Sequence, residues 1–238
     1  AGAIEVLPVE RWGTEYEAPI GVDLATDEIF ELVDASYMAA EDGTELQLVD
    51  PLGNTVGAPI PLNKGESVLI PNVATGSSAV SNKPVQLHAL TGDISATYES
   101  RWALALDRGR WGTEYYLPVS TRNIVGSAED PTDVFLYNPH DSALTVEWET
   151  TLGAEPDILI NPGSVERVTM PNGTGARFFA NFDFYAIAAI DANGPNTNAE
   201  AGDGFNNRDF DWALALVPTT ELSTQALVGF APGIDPTS

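Results

Sequence analysis

Few side chains in this sequence could carry acid–base, nucleophilic or metal chemistry, apart from its carboxylates. The chain has two histidines, His88 and His140, and no cysteine, which excludes thiolate nucleophiles, disulfides and cysteine-ligated metals. His88 lies in a strand-like segment and His140 in a turn-like one, a pattern that favours structural roles for both. The sequence contains no Gly-x-Ser-x-Gly elbow, His-Glu-x-x-His pair or glycine-rich phosphate loop. Hydrolase, metalloprotease and nucleotide-binding chemistry therefore have no motif to support them.

The 35 acidic residues allow two kinds of site chemistry. Two carboxylates could hydrolyse a glycosidic bond, but so many pairings exist that no pair is singled out. Carboxylate oxygens also suit calcium, and a Gly/Asn/Asp-rich stretch carries candidate ligands. These candidates are Asp191, Asp203, Asp209 and Asp211. Their spacing does not match an EF-hand loop, so solvated loop carboxylates are the favoured interpretation and calcium is the alternative.

Aromatic and arginine residues at repeated positions form the third candidate set. Its members are Trp12, Tyr16, Arg101, Trp102, Trp111, Tyr115 and Trp212. Exposed tryptophans would stack on sugars or on a partner, whereas buried ones would pack a junction between modules, with Arg101 paired to a carboxylate. Their recurrence at module edges favours the structural role.

An internal repeat must position these residues. Residues 12–19 (WGTEYEAP) recur as residues 111–118 (WGTEYYLP), an offset of 111 − 12 = 99, and the WALAL of residues 102–106 recurs at 212–216. Repeats of this length mark tandem structural units. We predict one module at residues 1–108 and a second at 109–238, with a loop insertion near 193–206 and a closing strand at 222–231.

Within each module the hydrophobic pattern is that of β-strands. Residues 44–50 and 144–149 alternate apolar and polar side chains before turns, as half-buried strands do. Residues 26–34 fit a helix, but we favour a strand over residues 29–33 because residues 133–137 occupy the equivalent place. The sequence predicts an all-β chain of two tandem antiparallel β-sandwich modules, Greek-key or jelly-roll in type.

Charge limits the partners. With 35 acidic and 10 basic residues the net charge is −25, so nucleic acid is excluded and anionic membrane surfaces are disfavoured. No apolar run approaches the roughly 18 residues that span a bilayer, so membrane insertion is not expected. The Ala-Gly-Ala start resembles material left after signal-peptide removal, and a cloned fragment would look the same.

Four segments carry a family resemblance: residues 111–118, 82–93 (NKPVQLHALTGD), 98–102 (YESRW) and 134–140 (VFLYNPH). In these segments the chain resembles tandem modules of bacterial surface proteins related to the N-terminal domain of IgGFc-binding proteins. The second copy departs from the pattern, because NFDF at 181–184 replaces KPVQ. The resemblance implies an extracellular, non-enzymatic, β-rich module for adhesion or matrix building, and it does not imply immunoglobulin binding.

These observations favour a secreted or cell-surface structural or adhesive protein, including a self-assembling subunit of an extracellular fibre or matrix. Its expected partners are further copies, other surface proteins or glycans, and calcium is the one cofactor considered. Strand addition between subunits is a physical route to such assembly. The alternatives are a carbohydrate-binding module with aromatics on one face and an enzyme acting on extracellular polysaccharide, which needs a pocket with paired carboxylates.

Overall fold

The computed structural model describes residues 7–24, 28–92, 94, 100–118, 120, 131–190 and 212–223. These residues form two antiparallel sheets. The strands of the first are β1 Gly13–Glu17, β2 Leu32–Ala39, β3 Thr44–Val49, β4 Thr55–Leu62, β5 Ser67–Ile70, β6 Ser78–Gly92 and β7 Ser100–Ala105. The strands of the second are β8 Gly112–Leu117, β9 Thr132–Tyr137, β10 Leu144–Thr150, β11 Gly153–Ala154, β12 Ile158–Ile160, β13 Val165–Thr169, β14 Ala176–Ile190 and β15 Trp212–Ala215.

One long strand organises each sheet. β6 pairs with β1 and β3 through its first half and with β2 and β7 through its second half. β14 repeats this arrangement with β8 and β10, then with β9 and β15. The partners change near Val85 and Phe184, where the register to β1 and to β8 shifts. Because such irregularities bend a strand, each sheet curls into a half-barrel.

The predicted fold class is confirmed, since the described chain is all-β with two antiparallel modules. Residues 29–33 differ in detail from the expected strand. Glu28–Phe30 form a 3₁₀ turn whose two apolar side chains are each 1% exposed, and β2 begins only at Leu32. The apolar side chains of this turn are buried in the core, and the turn does not pair as a strand. By strand register, Asp34 of β2 is therefore the counterpart of Asp133 of β9. In the described ranges no helix has the length and apolar character needed to cross a membrane.

Two hydrophobic cores lie on opposite sides of the second half of the second sheet. Val134 and Leu136 of β9 belong to the second core, which consists of second-module residues. Phe135 and Tyr137 point the other way into the shared core. The first module contributes to this shared core Tyr16, Val33, Tyr37, Leu46, Leu87 and Ala105, among others. Every residue of β9 is consequently buried, and the second module closes the open side of the first.

The last strand of each module repeats the WALAL sequence but not its orientation. Trp102 pairs with Leu90 of β6, whereas Ala213 pairs with Ala189, the counterpart of Leu90 in β14. The sequence match is therefore displaced by one residue from the structural register, and such a displacement turns each side chain to the opposite face. The backbone of Trp212 begins β15.

Candidate functional site at the module junction

The tyrosine of the WGTEY motif closes the bend of each long strand. The Tyr16 hydroxyl accepts a hydrogen bond from the Gly13 amide (2.9 Å) and donates to the Val85 carbonyl (2.8 Å). In the second module the Tyr115 hydroxyl accepts from the Gly112 amide (2.9 Å) and donates to the Phe184 carbonyl (2.6 Å). Both donations span 69 residues. Burial raises the pKa of Tyr16 to about 12 and also raises that of Tyr115, so both hydroxyls keep their protons at neutral pH.

The tryptophan and glycine of the motif fix the entry to the first strand. Trp111 follows a 3₁₀ turn at Arg108–Arg110, and its Nε1 donates to the Leu106 carbonyl five residues earlier at 3.2 Å. Trp12 does the same to Leu7 at 2.9 Å. A Cβ on Gly112 would lie 2.5 Å from the Pro218 Cβ. The glycine is required because the returning end of the module packs directly against it.

Gly13 shows the same constraint in the first module. A Cβ there would lie 1.8 Å from Oδ2 of Asp107, which accepts hydrogen bonds from the Thr14 and Glu15 amides. The Asp107 side chain also accepts from the Gly109 amide and so caps the 3₁₀ turn between the modules. Each module thus ends by packing against its own first strand.

Aromatic rings form the apolar centre of the junction. The Trp111 ring lies edge-on to Tyr137 at 6.0 Å and tilted over Tyr185 at 4.8 Å, measured between ring centroids. Phe30 of the first module meets Phe135 of the second edge-on at 4.8 Å. Such pairs contribute about 0.5–1.5 kcal/mol each beyond the area that they bury. Trp111 is 7% exposed, so it is unavailable as a sugar-stacking platform.

A polar cluster accompanies the aromatic centre. Glu17 of β1 accepts a hydrogen bond from the Tyr137 hydroxyl (2.5 Å) and pairs with Arg108 Nε (3.2 Å). Arg108 also pairs with Asp183 of β14, which lies 3.3 Å from His140 Nε2. Burial raises the pKa of Glu17, although Tyr137 and Arg108 favour its ionised form. The cluster fixes the position of the second module on β1 through bonds that apolar packing cannot supply.

The remaining predicted residues occupy different places. Arg101, 1% exposed, donates from Nε to the Ile190 carbonyl of the second module at 3.0 Å. Trp102 is half-buried on the side of β7 away from the shared core. The structure thus brings Arg101 and Trp111 to the junction, places Tyr16 and Tyr115 at the strand bends, and leaves Trp12 and Trp102 outside both cores.

The calcium candidates Asp191, Asp203, Asp209 and Asp211 lie outside the described residues, as do the predicted insertion and most of the closing strand. Among the residues that are described, no group of three His, Asp or Glu side chains is arranged to hold a metal ion. An apolar cleft of about 310 Å³ opens between β3 and β5, with Tyr37, Val56 and Ile70 in its walls. Asp50 is the carboxylate at its rim, and hydrogen bonds from Asn54 lower its pKa.

Comparisons with family models, with curated proteins and with solved structures found no match to this chain. The junction geometry must therefore carry the functional argument.

The sequence pattern missed the polar cluster of Glu17, Arg108, Tyr137 and Asp183. A signal was nevertheless present, because these are positions at which the two copies differ. Glu17 occupies the place of Tyr116 in the otherwise matching WGTEY segments. Tyr137 is the counterpart of Met38 by strand register. At these positions, residues that differ between the copies adapt one module to the other.

Proposed function

We propose that this chain is a secreted or cell-surface structural protein whose modules stack, and that copies of it assemble into an extracellular fibre or matrix. The observation that carries this proposal is the double burial of the second module's sheet, which shows how one module of this type closes the next. An adhesive role on the cell surface follows from the same architecture. The resemblance to bacterial tandem surface modules and the surface charge support the location.

A 3₁₀ turn followed by an extended residue recurs at three places in the described chain. Turns at Val9–Arg11, Arg108–Arg110 and Thr219–Glu221 precede Trp12, Trp111 and Leu222 respectively. Arg11 of the first turn pairs with Glu221 of the third, and Arg110 of the second lies 4.0 Å from the same carboxylate. The three turns therefore come together around the Glu221 carboxylate.

The size distribution of the purified chain tests the proposal. Light scattering and negative-stain microscopy over a range of protein and salt concentrations, with and without millimolar calcium, should reveal ordered polymers. A monomer in every condition would contradict the assembly role. Dependence of the polymers on calcium would direct attention to the four candidate aspartates in and around the insertion, and independence would remove calcium from the mechanism.

Glycan binding is the second candidate, because one exposed aromatic lies beside polar groups. Tyr116 is 47% exposed and lies opposite Arg177 on the neighbouring strand. The Arg177 guanidinium forms a salt bridge with Glu149. Trp148 cannot take part, since it is 8% exposed and stacks on Phe178 in the second core. Glycan-array binding that Tyr116→Ala abolishes and Tyr116→Phe retains would support this function.

A further inference from the structure

The apolar cleft between β3 and β5 of the first module is a concave opening at the border of the shared core. Its volume is about 310 Å³, which lies within the range of roughly 300–1,000 Å³ that small-molecule sites occupy. Leu48 and Ile70 line the cleft and pack against the shared core, and Val56 forms part of its wall. A molecule bound in the cleft would therefore extend the apolar interior of the first module.

The second module fills the corresponding place with its own side chains. By strand register, Trp148 is the counterpart of Leu48, and Phe178 is the counterpart of Ala79. The Trp148 ring stacks on Phe178 at 5.6 Å between ring centroids, with an angle of 5° between the ring planes. Its Nε1 donates to the Pro156 carbonyl at 2.9 Å. The first module has only a leucine and an alanine at these two positions, so its cleft lies where the second module holds a stacked aromatic ring.

The hydroxyl of Tyr37 distinguishes the cleft from a simple packing defect. Tyr37 is 4% exposed, yet its hydroxyl forms no hydrogen bond in the part of the chain that the structure describes. The hydroxyls of Tyr16, Tyr115 and Tyr137, by contrast, each donate to a carbonyl or carboxylate oxygen. The Tyr37 hydroxyl is not sealed from solvent, and because Tyr37 lines the cleft, the hydroxyl can be reached from there.

This hydroxyl is a further difference between the two modules. Strand register makes Leu136, which is 0% exposed in the second core, the counterpart of Tyr37. The module that lacks the stacked rings thus carries a hydroxyl that the other module lacks. Burial raises the pKa of Tyr37, so the hydroxyl keeps its proton at neutral pH and is a donor. Because a largely buried donor without a partner is costly, a ligand atom that accepts from it is favoured.

Hydrogen bonds hold the wall of the cleft that follows β5. The Asn72 amide donates to the buried carboxylate of Asp34 at 3.0 Å, and the Val73 amide donates to the Val33 carbonyl at 2.8 Å. Asn72 and Val73 both line the cleft. The cleft is therefore formed before a ligand arrives, which reduces the ordering cost of binding.

Charge limits the class of ligand. Asp50 is the charged residue among the described residues that line the cleft. Its carboxylate already accepts hydrogen bonds from the Leu52 and Asn54 amides, at 2.9 and 2.8 Å, and from the Asn54 side chain at 3.0 Å. The bonds from Asn54 lower the pKa of Asp50, so it stays ionised and repels an anion, as does the net charge of −25. The carboxylate is occupied by its own turn, so the cleft favours an uncharged ligand over a cation as well.

We propose that the cleft between β3 and β5 binds a small uncharged aromatic molecule that carries a hydrogen-bond acceptor, and that the Tyr37 hydroxyl donates to this acceptor. The ligand ring takes the place that Trp148 fills in the second module, and the hydroxyl fixes the orientation of the ring. This binding function goes beyond the structural role and does not depend on assembly of the chain into polymers.

Three probes of nearly equal shape test the ligand class. Acetophenone is uncharged and has a carbonyl acceptor, α-methylstyrene has a CH₂ group in place of that oxygen, and benzoate carries a negative charge. Titrations of the ¹⁵N-labelled full chain followed by NMR should show saturable shifts at cleft amides such as those of Val73 and Ser78. Acetophenone should bind with a Kd of about 1 mM or lower. Benzoate should bind at least about tenfold more weakly, because its charge would leave water.

Tyr37→Phe tests the role of the hydroxyl. The variant should weaken acetophenone binding by about fivefold, the loss expected for one hydrogen bond, and should not weaken binding of α-methylstyrene. It should be at least as stable as wild type in urea, since the hydroxyl that it removes has no partner within the described residues. Equal effects on the two probes would overturn the assigned hydrogen bond.

Two tryptophan variants test the place of the site. Leu48→Trp copies the side chain of the second module into the cleft, and Val56→Trp fills the cleft from a wall position that is 49% exposed and therefore tolerant of change. Each should abolish acetophenone binding. The control Leu152→Trp adds the same side chain to a turn of the second module, at a leucine that is 75% exposed, and should bind as wild type does. Circular dichroism verifies that all variants are folded.

The contrary outcomes are distinct. Acetophenone binding that persists unchanged in the folded Val56→Trp variant would overturn the assigned site. Benzoate binding as tight as that of acetophenone would overturn the ligand class. A wild-type chain that binds none of the probes, but whose cleft signals shift with its own concentration, would assign the cleft to an aromatic side chain of a second copy and overturn the proposal. Polymers observed or absent in the size measurements would leave this proposal unaffected.

Discussion

Removal of the Tyr115 hydroxyl should destabilise the protein far more than its size suggests. The hydroxyl bonds the Gly112 amide and the Phe184 carbonyl, and Tyr115 is 0% exposed. Tyr115→Phe leaves both backbone groups buried without this partner, and each unsatisfied group costs about 1–3 kcal/mol. We expect a loss of about 2–4 kcal/mol in the free energy of unfolding, or roughly 5–15 °C in Tm for a chain of this size.

Two further tyrosines supply graded controls. Tyr16→Phe removes the same pair of bonds in the first module, but Gly13 is only half-buried and water can reach its amide, so a loss of about 1–2 kcal/mol is expected. Tyr116→Phe changes a side chain that is 47% exposed and should stay within about 0.5 kcal/mol of wild type. Urea unfolding followed by circular dichroism measures all three.

The order Tyr115→Phe, Tyr16→Phe, Tyr116→Phe is the essential result. A Tyr115→Phe variant as stable as Tyr116→Phe, with an unchanged dependence on urea concentration, would show that the bend of β14 does not need the hydroxyl. The explanation of the repeated motif would then be wrong.

Gly112→Ala should lower the free energy of unfolding by about 1–3 kcal/mol, because the new Cβ would overlap Pro218. The control Gly109→Ala should lower it less, since its Cβ would meet only the movable carboxylate of Asp107 at 3.2 Å. Equal losses of unfolding free energy in urea would contradict this prediction. Burial raises the pKa of Tyr16 to about 12. The protonated Tyr16 side chain therefore stabilises the fold fully only at pH values below the pKa of tyrosine in the unfolded chain. The fold should weaken above about pH 10 and be lost as the pH passes about 12. Tyrosinate absorbance that reaches the value for all seven tyrosines without loss of circular dichroism would refute that expectation. The pKa of Glu17 is raised in the folded protein, so folding of the wild type becomes less favourable as the pH rises and this carboxyl ionises. Glu17→Gln removes the carboxyl, and the variant should therefore gain stability relative to wild type as the pH rises from acidic to neutral. A difference in the free energy of unfolding that does not change with pH would oppose this.

How much the sequence predicts depends on whether a signal is local. Alternation in β3 and β10 and the repeated WGTEY segment indicate strands and modules, because side-chain periodicity reports directly on local burial. The displaced register of β15 could not be predicted in this way. Its sequence matches β7 letter for letter, but pairing with β14 decides which face is buried, and the sequence of β15 contains no information on that partner.

The junction required knowledge of contacts distant in sequence. Tyr137 and Glu17 lie 120 residues apart, and neither belongs to a motif. The tryptophans attracted attention as repeated residues, yet Trp111 is buried by the junction while Trp12 is half-exposed. Equal sequence at two places thus has unequal surroundings, because Trp111 packs on Tyr137 and Tyr185, whereas Trp12 belongs to neither core among the described residues.

The double burial of β9 also imposes a direction on folding. The second core contains only second-module residues, whereas the shared core needs Phe135 and Tyr137 of β9 to cover the first module's apolar interior. The first module is synthesised earlier, and we expect its core to be completed only after the downstream β9 has formed. Until then Phe30 and its neighbours have no cover, and exposed apolar surface of this kind promotes aggregation. The order in which the two cores are completed would then be the reverse of the order in which the two modules are synthesised.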